Sequence, residues 1–290
     1  MAVMSRDGGT SRIATIARTH PLVCFFFLAY LLGWIAFSPL VLSNIGLGLI
    51  HRDIGIEWMV VGTFSPSVAA FLTHWLSDHN FRFAVIFSPV ARMLLGLLAG
   101  VALIVFGFAV LPALFLAKVP PQAIHWSAFL ASSSYILNWS IFFGGPIGEE
   151  PGWRGFALPH LQRRFGPTVG SVILGTLWAL WHLPLFLVHG WGNIPLWGYV
   201  VIVVSLTILL TFAGNISRGS VLVAIFLHAT FNTSFSILAA LTHGVPTRNP
   251  DLPYYLGAVS ATALAAILFT RGRLGACDAR TPESRISEAA

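Results

Sequence analysis

Charged residues are scarce in this chain. Only 9% of its 290 residues are charged, whereas a soluble domain carries roughly a quarter. Hydrophobic residues make up 56%, so the chain does not have enough polar groups to cover a globular surface. The composition excludes an ordinary soluble domain and predicts a protein that lies largely in lipid.

Cysteine and the familiar hydrolase motifs are also scarce. The two cysteines, Cys24 and Cys277, stand far apart, in the first apolar run and near the C-terminus. They suggest neither a disulfide framework nor a cysteine-based metal site. The sequence also has no Gly-x-Ser-x-Gly elbow and no His-Glu-x-x-His helix, so neither serine-hydrolase nor zincin chemistry is indicated by a motif.

Long apolar runs, in contrast, are abundant. Several reach about 20 residues, the length that crosses a hydrocarbon core of about 30 Å, and a helix satisfies the backbone polar groups in lipid. The first run is too long for a cleaved signal peptide, so we expect it to stay as an anchoring helix. The sequence therefore predicts an all-α, polytopic transmembrane helix bundle of about eight spans, at 21 to 42, 58 to 76, 93 to 117, 127 to 148, 167 to 189, 196 to 216, 219 to 241 and 252 to 270.

Basic residues follow the pattern of a membrane topology. A net charge of +6 could suggest nucleic acid, but Lys and Arg concentrate on one side of the predicted spans, as the positive-inside rule requires. The predicted inner side holds Arg6, Arg12, Arg18, Arg82, Arg92, Arg154, Arg163, Arg164, Arg218, Arg271, Arg273, Arg280 and Arg285, and the outer side holds Arg52, Lys118 and Arg248. We therefore expect no nucleic-acid partner, both termini in the cytoplasm, and an integral protein of a bacterial inner (plasma) membrane.

Two adjacent carboxylates stand out among the few acidic residues. Glu149 and Glu150 end the fourth apolar run, where a charge is costly unless it is paired or used. If this stretch is helical, Glu150 and Arg154 face each other at a spacing of four, and Glu149 points about 100° away. Pro151 either kinks that helix or begins a new one.

Polar residues also interrupt two later apolar runs. His182 lies deep in the fifth run, and His228 and Asn232 share one helix face of the seventh. A cluster of these three residues with Glu149 would supply the groups for attack by water on a peptide bond. A buried carboxylate is a good general base, histidine can share that role, and histidine with asparagine can donate hydrogen bonds to an oxyanion.

Three motifs in this order resemble a known family. They read Glu149-Glu150-Pro-Gly-Trp-Arg154, Trp178-Ala-Leu-Trp-His182 and His228-Ala-Thr-Phe-Asn232. This order is similar to that of the Ras-converting type of CAAX prenyl proteases and their bacteriocin-processing (CPBP or Abi) relatives, although Trp178 stands where a phenylalanine is more usual.

The resemblance implies an intramembrane endopeptidase of glutamate type that acts on a peptide or protein substrate, with lipidated substrates included. It implies that Glu149 activates water with help from His182, that His228 and Asn232 hold the oxyanion, and that Glu150 and Arg154 give structural and electrostatic support. No cofactor is expected. Zinc stays an alternative, in which Glu149, His182 and His228 would be the ligands.

The resemblance also divides the chain. We expect a cytoplasmic N-terminal segment (1–20), N-terminal transmembrane helices (21–126), a CAAX-protease-like catalytic core (127–241), a last transmembrane helix (242–274) and a disordered cytoplasmic tail (275–290). The oligomeric state is left open. A non-catalytic membrane scaffold or immunity protein of the same family is the alternative function, and a transporter is a further one.

The predicted spans leave one conflict of depth. They place Glu149 at the cytoplasmic end of the fourth run but His182 roughly 22 Å into the next, at 1.5 Å per residue. We therefore expect the fourth helix to continue past Arg154 and the fifth to begin later. The active site would then lie in a cavity open to the cytoplasm.

Overall fold

The fold is helical throughout the part of the chain that can be described. The computed structural model describes residues 12–77, 89–112, 140–191, 194–241 and 252–276, and every regular element in these ranges is a helix, which confirms the all-α prediction. In chain order they are α1 (Arg12–Thr19), α2 (Pro21–Leu42), a 3-10 turn (Ile56–Trp58), α3 (Met59–Thr63), α4 (Ser65–Leu76), α5 (Val90–Val105), a π segment (Phe106–Val110), α6 (Pro146–Gly152), a π segment (Trp153–Ala157), α7 (Leu158–Phe165), α8 (Pro167–Trp181), a 3-10 turn (Leu183–Leu187), α9 (Leu196–Ile216), α10 (Val221–Leu241) and α11 (Leu252–Phe269).

Among the described residues, six helical stretches are long and apolar enough to cross a bilayer. They are Pro21–Leu42, Ile56–Leu76, Val90–Val110, Pro167–Leu187, Leu196–Ile216 and Leu252–Phe269. Their bounds lie within a few residues of the predicted spans wherever those spans are described, and they indicate an integral membrane protein. The total of about eight spans and the side on which the termini lie stay predictions.

The predicted fourth span, 127 to 148, is wrong at its end. Its first part lies outside the described residues, but the chain turns at Gly144 and Gly145 and begins a new helix at Pro146. Gly145 has a left-handed backbone, with φ of +101°, which glycine adopts without strain, and Pro146 takes the first helical position, where its missing N–H costs nothing. Pro151 therefore lies inside this helix and does not begin one.

The helical run continues past Arg154, as expected, and ends at Phe165. The expected later start of the fifth helix is wrong, because α8 begins at Pro167, as first drawn. Glu149 and His182 are both roughly 22–24 Å along their helices from the turn at Gly166, at 1.5 Å per residue. The new helix start thus removes the conflict of depth.

Two aromatic side chains fix α2 alongside α8. The Tyr30 hydroxyl donates to the Leu177 carbonyl at 2.5 Å, and the Trp34 indole donates to the Trp181 carbonyl at 3.0 Å. Both bonds join residues 147 apart in sequence, so the two helices run parallel. They hold the half of α8 that carries Trp178 and Trp181.

Close packing of α6 against α4 depends on Gly152. A Cβ at this position would lie 2.3 Å from the Pro66 carbonyl carbon and 2.4 Å from its oxygen, and backbone atoms cannot rotate away. We expect Gly152→Ala to destabilise the fold by about 1–3 kcal/mol through overpacking, measured by thermal unfolding in detergent. Gly214→Ala, where a Cβ meets nothing within 4 Å, is the matched control and should leave stability unchanged or slightly raised. Equal losses in the two variants would contradict this close contact.

Candidate active site

The polar residues singled out in the sequence meet around one cavity of about 270 Å³. Glu149, His182, His228 and Asn232 all line it, brought from α6, the end of α8 and α10. Glu150 and Arg154 lie directly behind its wall. The remaining lining residues are mostly aromatic or apolar: Phe37, Met59, Thr63, Ser140, Gly144, Trp178, Trp181, Leu185, Trp191, Tyr199, Val203 and Phe231.

Glu149 is buried and held by an indole. Only 2% of it is exposed, and its Oε2 accepts a hydrogen bond of 2.7 Å from the Trp178 ring nitrogen. Its Oε1 lies beside Gly145, where a Cβ would approach it within 2.2 Å. Gly145 therefore serves twice, because it turns the chain and it leaves room for the carboxylate.

Glu150 is buried between Arg154 and His228 and accepts a hydrogen bond from each. Its Oε1 accepts from Arg154 Nη1 at 3.0 Å, one helical turn away as the spacing predicted. The same oxygen accepts from His228 Nδ1 at 2.7 Å. Arg154 is further held by Thr207, whose hydroxyl lies 3.4 Å from Nη2, and by the face of Trp178, 4.2 Å from the guanidinium carbon. His228 is thus bonded to Glu150 and not to Glu149, whose carboxylate lines the cavity.

His182 is oriented by the backbone and by aromatic rings. Its Nδ1 lies 2.9 Å from the Trp178 carbonyl, and because a carbonyl only accepts, Nδ1 carries the proton and Nε2 is the accepting nitrogen. The Trp191 ring stacks on the imidazole, with centroids 5.6 Å apart, and Tyr199 meets it edge-on at 5.5 Å. The ring has little freedom to turn.

Asn232 is anchored to the turn that precedes α6. Its side-chain amide donates to the Gly144 carbonyl at 3.2 Å. An amide group has a second N–H, so one donor stays available to a ligand. Asn232 therefore links α10 to the turn that carries Glu149.

Sequence reasoning missed the roles of three aromatic residues of this site. Trp178 was visible as part of a motif, but its role as a hydrogen-bond donor to Glu149 was not. A phenylalanine at this position could not make that bond. Trp191 and Tyr199 lie outside the motifs, and no local signal pointed to them. Ser132, Ser133 and Ser134, a polar patch of the fourth run, lie outside the described residues.

A metal ion has no evident cluster of ligands here. Among the described residues, no three His, Cys, Asp or Glu side chains are grouped so that they could hold one. The nearest set is Glu149, His182 and His228, and three of its polar atoms are already engaged: Glu149 Oε2 by the Trp178 indole, His182 Nδ1 by the Trp178 carbonyl and His228 Nδ1 by Glu150. The use of zinc stays untested by this geometry.

Comparison with known proteins shows that part of the chain is similar to a known family. Residues 131–234 match the family model described as type II CAAX prenyl endopeptidase, Rce1-like. Over these residues, which we call the Rce1-like segment, the chain is similar to that family. CAAX prenyl protease 2 of Methanococcus maripaludis is 31% identical over 99 residues, which cover 31% of this chain and 36% of that relative. The match thus spans little more than a third of the curated relative's length.

The Rce1-like segment contains Glu149, His182, His228 and Asn232. It begins before the turn at Gly144 and ends just after Asn232. Parts of the cavity wall come from outside it, since Phe37, Met59 and Thr63 belong to α2 and α3. The N-terminal helices therefore help to shape the space next to the Rce1-like residues.

The hydrogen bond from the Trp178 indole to Glu149 can be tested by substitution. Trp178→Phe keeps an aromatic ring but removes the donor to Glu149. Hydrogen bonds to charged groups contribute about 1.5–3 kcal/mol, so for the peptide cleavage proposed below we expect kcat to fall by about 10- to 100-fold with KM little changed. Trp34→Phe removes an indole bond to a backbone carbonyl elsewhere and should leave kcat unchanged. An equal fall in both variants would mean that Trp178 acts only through stability.

Proposed function

We propose that this protein is a membrane-embedded endopeptidase that hydrolyses a peptide bond of a membrane-associated protein or peptide. The observation that carries the proposal is the convergence of Glu149, His182, His228 and Asn232 on one cavity inside an apolar helix bundle. Buried polar groups in a membrane protein are costly and mark functional sites. The Rce1-like family and its curated relative, named a CAAX prenyl protease, support the same reaction class.

Glu149 is the general base in this proposal. Its carboxylate faces the cavity, and a positioned base contributes typically 10²–10⁴-fold to such a reaction. His182 presents Nε2, the nitrogen free to accept a proton, and so can share the proton of the attacking water. The water oxygen forms a bond to the carbonyl carbon, and its proton passes to Glu149 or His182. The carbon–nitrogen bond then breaks, and that proton is given to the leaving amine.

His228 and Asn232 are the donors to the oxyanion in this proposal. His228 directs Nδ1–H at Glu150, so Nε2 can donate only when the ring is an imidazolium. The same Glu150 oxygen also accepts from Arg154 Nη1 at 3.0 Å, so Glu150 and Arg154 together hold the ring of His228 in place. Glu150 and Arg154 are therefore positioning residues, which act through His228.

The lining of the cavity indicates the kind of substrate. Its walls are aromatic and apolar while its polar groups are few, which suits an extended peptide with apolar side chains. We propose no cofactor and no nucleic-acid partner, and we place the protein in a bacterial inner membrane. The test below therefore uses substrates with and without a lipid chain.

The test is cleavage of a library of fluorogenic peptides, some with a C-terminal prenyl group, by the purified protein with and without a zinc chelator. Cleavage that survives chelation and is lost on changing Glu149 is the expected result. Cleavage that chelation abolishes and zinc restores would replace the proposed mechanism with a zinc one. No cleavage of any peptide, with a cellular phenotype that survives Glu149→Gln, would favour the non-catalytic scaffold or immunity protein.

A further inference from the structure

Arginine marks one end of the helix bundle. Seven exposed arginines lie at helix ends there: Arg18, Arg92, Arg163, Arg164, Arg218, Arg271 and Arg273. No acidic side chain of the described ranges lies among them. We call this the arginine end. At the opposite end the described charges are Arg52, Asp53 and Glu57, of both signs. Arg154, assigned to the inner side from sequence, belongs instead to the buried pair with Glu150.

Direct contacts show that these helix ends meet. The Thr168 hydroxyl at the start of α8 donates to the Gly272 carbonyl after α11, at 2.7 Å. The Asn215 amide near the end of α9 donates to the Leu274 carbonyl at 2.8 Å. At the opposite end, the His189 N–H after α8 donates to the Ile45 carbonyl after α2, at 2.7 Å. The two ends are therefore distinct faces of one bundle.

The cavity lies in the half of the bundle remote from the arginine end. Phe37 on α2, Glu149 on α6, His182 after α8 and Tyr199 on α9 line it. Each is roughly 22–26 Å from the arginine end of its own helix, at a rise of 1.5 Å per residue. Since a hydrocarbon core is about 30 Å thick, these residues lie near the opposite interface.

His228 fits the same level although it comes early in its helix. It lies roughly 10 Å from Val221, the first residue of α10. The preceding turn, however, packs on Gly96, where a Cβ would lie 2.9 Å from the Ser217 Cβ. Gly96 is itself roughly 9 Å along α5 from Val90. The turn before α10 therefore packs beside α5, and the bond of His228 Nδ1 to Glu150 Oε1, at 2.7 Å, places His228 at the level of Glu150.

We infer that the cavity belongs to the extracytoplasmic half of the bilayer, and that its substrate is a peptide bond of a membrane-inserted chain in that half. Positive charge concentrates on the cytoplasmic side of membrane proteins, so the arginine end is cytoplasmic and the cavity lies away from it. This differs from the cytoplasmic opening expected from sequence, which assumed that Glu149 ends a helix at the arginine side. Cleavage rests on the proposed function, whereas the side of access does not.

The experiment is labelling of single cysteines in spheroplasts of a bacterial host. In a background with Cys24→Ala and Cys277→Ser, three cysteines are introduced one at a time. They are Asp53→Cys at the opposite end, Arg164→Cys at the arginine end, and Met59→Cys in the cavity wall. Each is treated with a small membrane-impermeant methanethiosulfonate before and after lysis. A C-terminal alkaline phosphatase fusion reports the side of the C-terminus independently.

We expect Asp53→Cys and Met59→Cys to react in intact spheroplasts, Arg164→Cys to react only after lysis, and the phosphatase fusion to be inactive. Reaction of Arg164→Cys before lysis, or an active fusion, would reverse the orientation. Reaction of Met59→Cys only after lysis, with Asp53→Cys already labelled, would show access from the cytoplasm and overturn the inference. Because labelling needs no turnover, Glu149→Gln should give the same pattern, which separates this result from any failure of the proposed function.

Discussion

Glu149→Gln is expected to lower kcat by about 10²–10⁴-fold, the usual contribution of a general base. Glutamine has almost the shape of glutamate, and its amide oxygen can still accept the bond from Trp178. The substitution removes the negative charge that takes a proton from water while leaving the contacts of the cavity in place. The measurement is kcat and KM on a cleaved peptide, together with thermal unfolding of the purified protein.

The control for Glu149→Gln is Glu57→Gln, the same chemical change at an exposed residue of the opposite end. It should leave kcat unchanged. The Glu149 variant should also unfold at the temperature of the unchanged protein or above it, because it no longer buries a charge. Full activity of Glu149→Gln would remove this residue from the mechanism and leave His182 as the base.

Local spacing predicted one part of the site well. Glu150 and Arg154 stand four residues apart, and on any helix that spacing brings two side chains together. The pair forms at 3.0 Å even though the backbone between them contains Pro151 and leads into a π segment. A short-range rule holds here because the pair lies within one turn of one helix.

The division of labour between the two glutamates was harder to predict. Spacing indicated that Glu149 and Glu150 point apart, but not which of them His228 would reach. That depends on how α6 and α10 are rotated against each other, which is set by packing such as that of Gly148 on the Thr63 carbonyl, where a Cβ would come within 2.7 Å. A pattern within one helix contains no information about such rotations.

The start of the helix that carries the glutamates was predicted wrongly for a related reason. Pro146 follows Gly145 and Pro151 follows Glu150, and a proline at either position could begin a helix. Hydropathy favoured one continuous run up to 148, because glycine and proline do not interrupt an apolar pattern. The left-handed backbone at Gly145 decides between the two prolines, and it is a property of the folded chain.

Arg154→Met is expected to destabilise the fold by about 3–5 kcal/mol, because it leaves a buried carboxylate without its main partner. Glu150 is fully buried and Arg154 is 6% exposed, so water cannot replace the lost charge. The second contact of Glu150, the hydrogen bond from His228 Nδ1, remains and offsets part of the loss. Thermal or denaturant unfolding in detergent measures the effect, and Arg52→Met, at an exposed arginine, is the matched control with no expected change.

The double variant Arg154→Met with Glu150→Gln separates charge from packing. It removes both charges at once, and replacing a whole buried pair is often neutral for stability, so we expect it to recover most of the loss. Its kcat should nevertheless stay low, because His228 loses the carboxylate that accepts its Nδ1–H bond and orients its ring. Recovery of both stability and kcat would make the pair purely structural. A double variant as unstable as Arg154→Met would mean instead that Arg154 acts through its packing on Trp178, and that the charge of Glu150 costs the fold little.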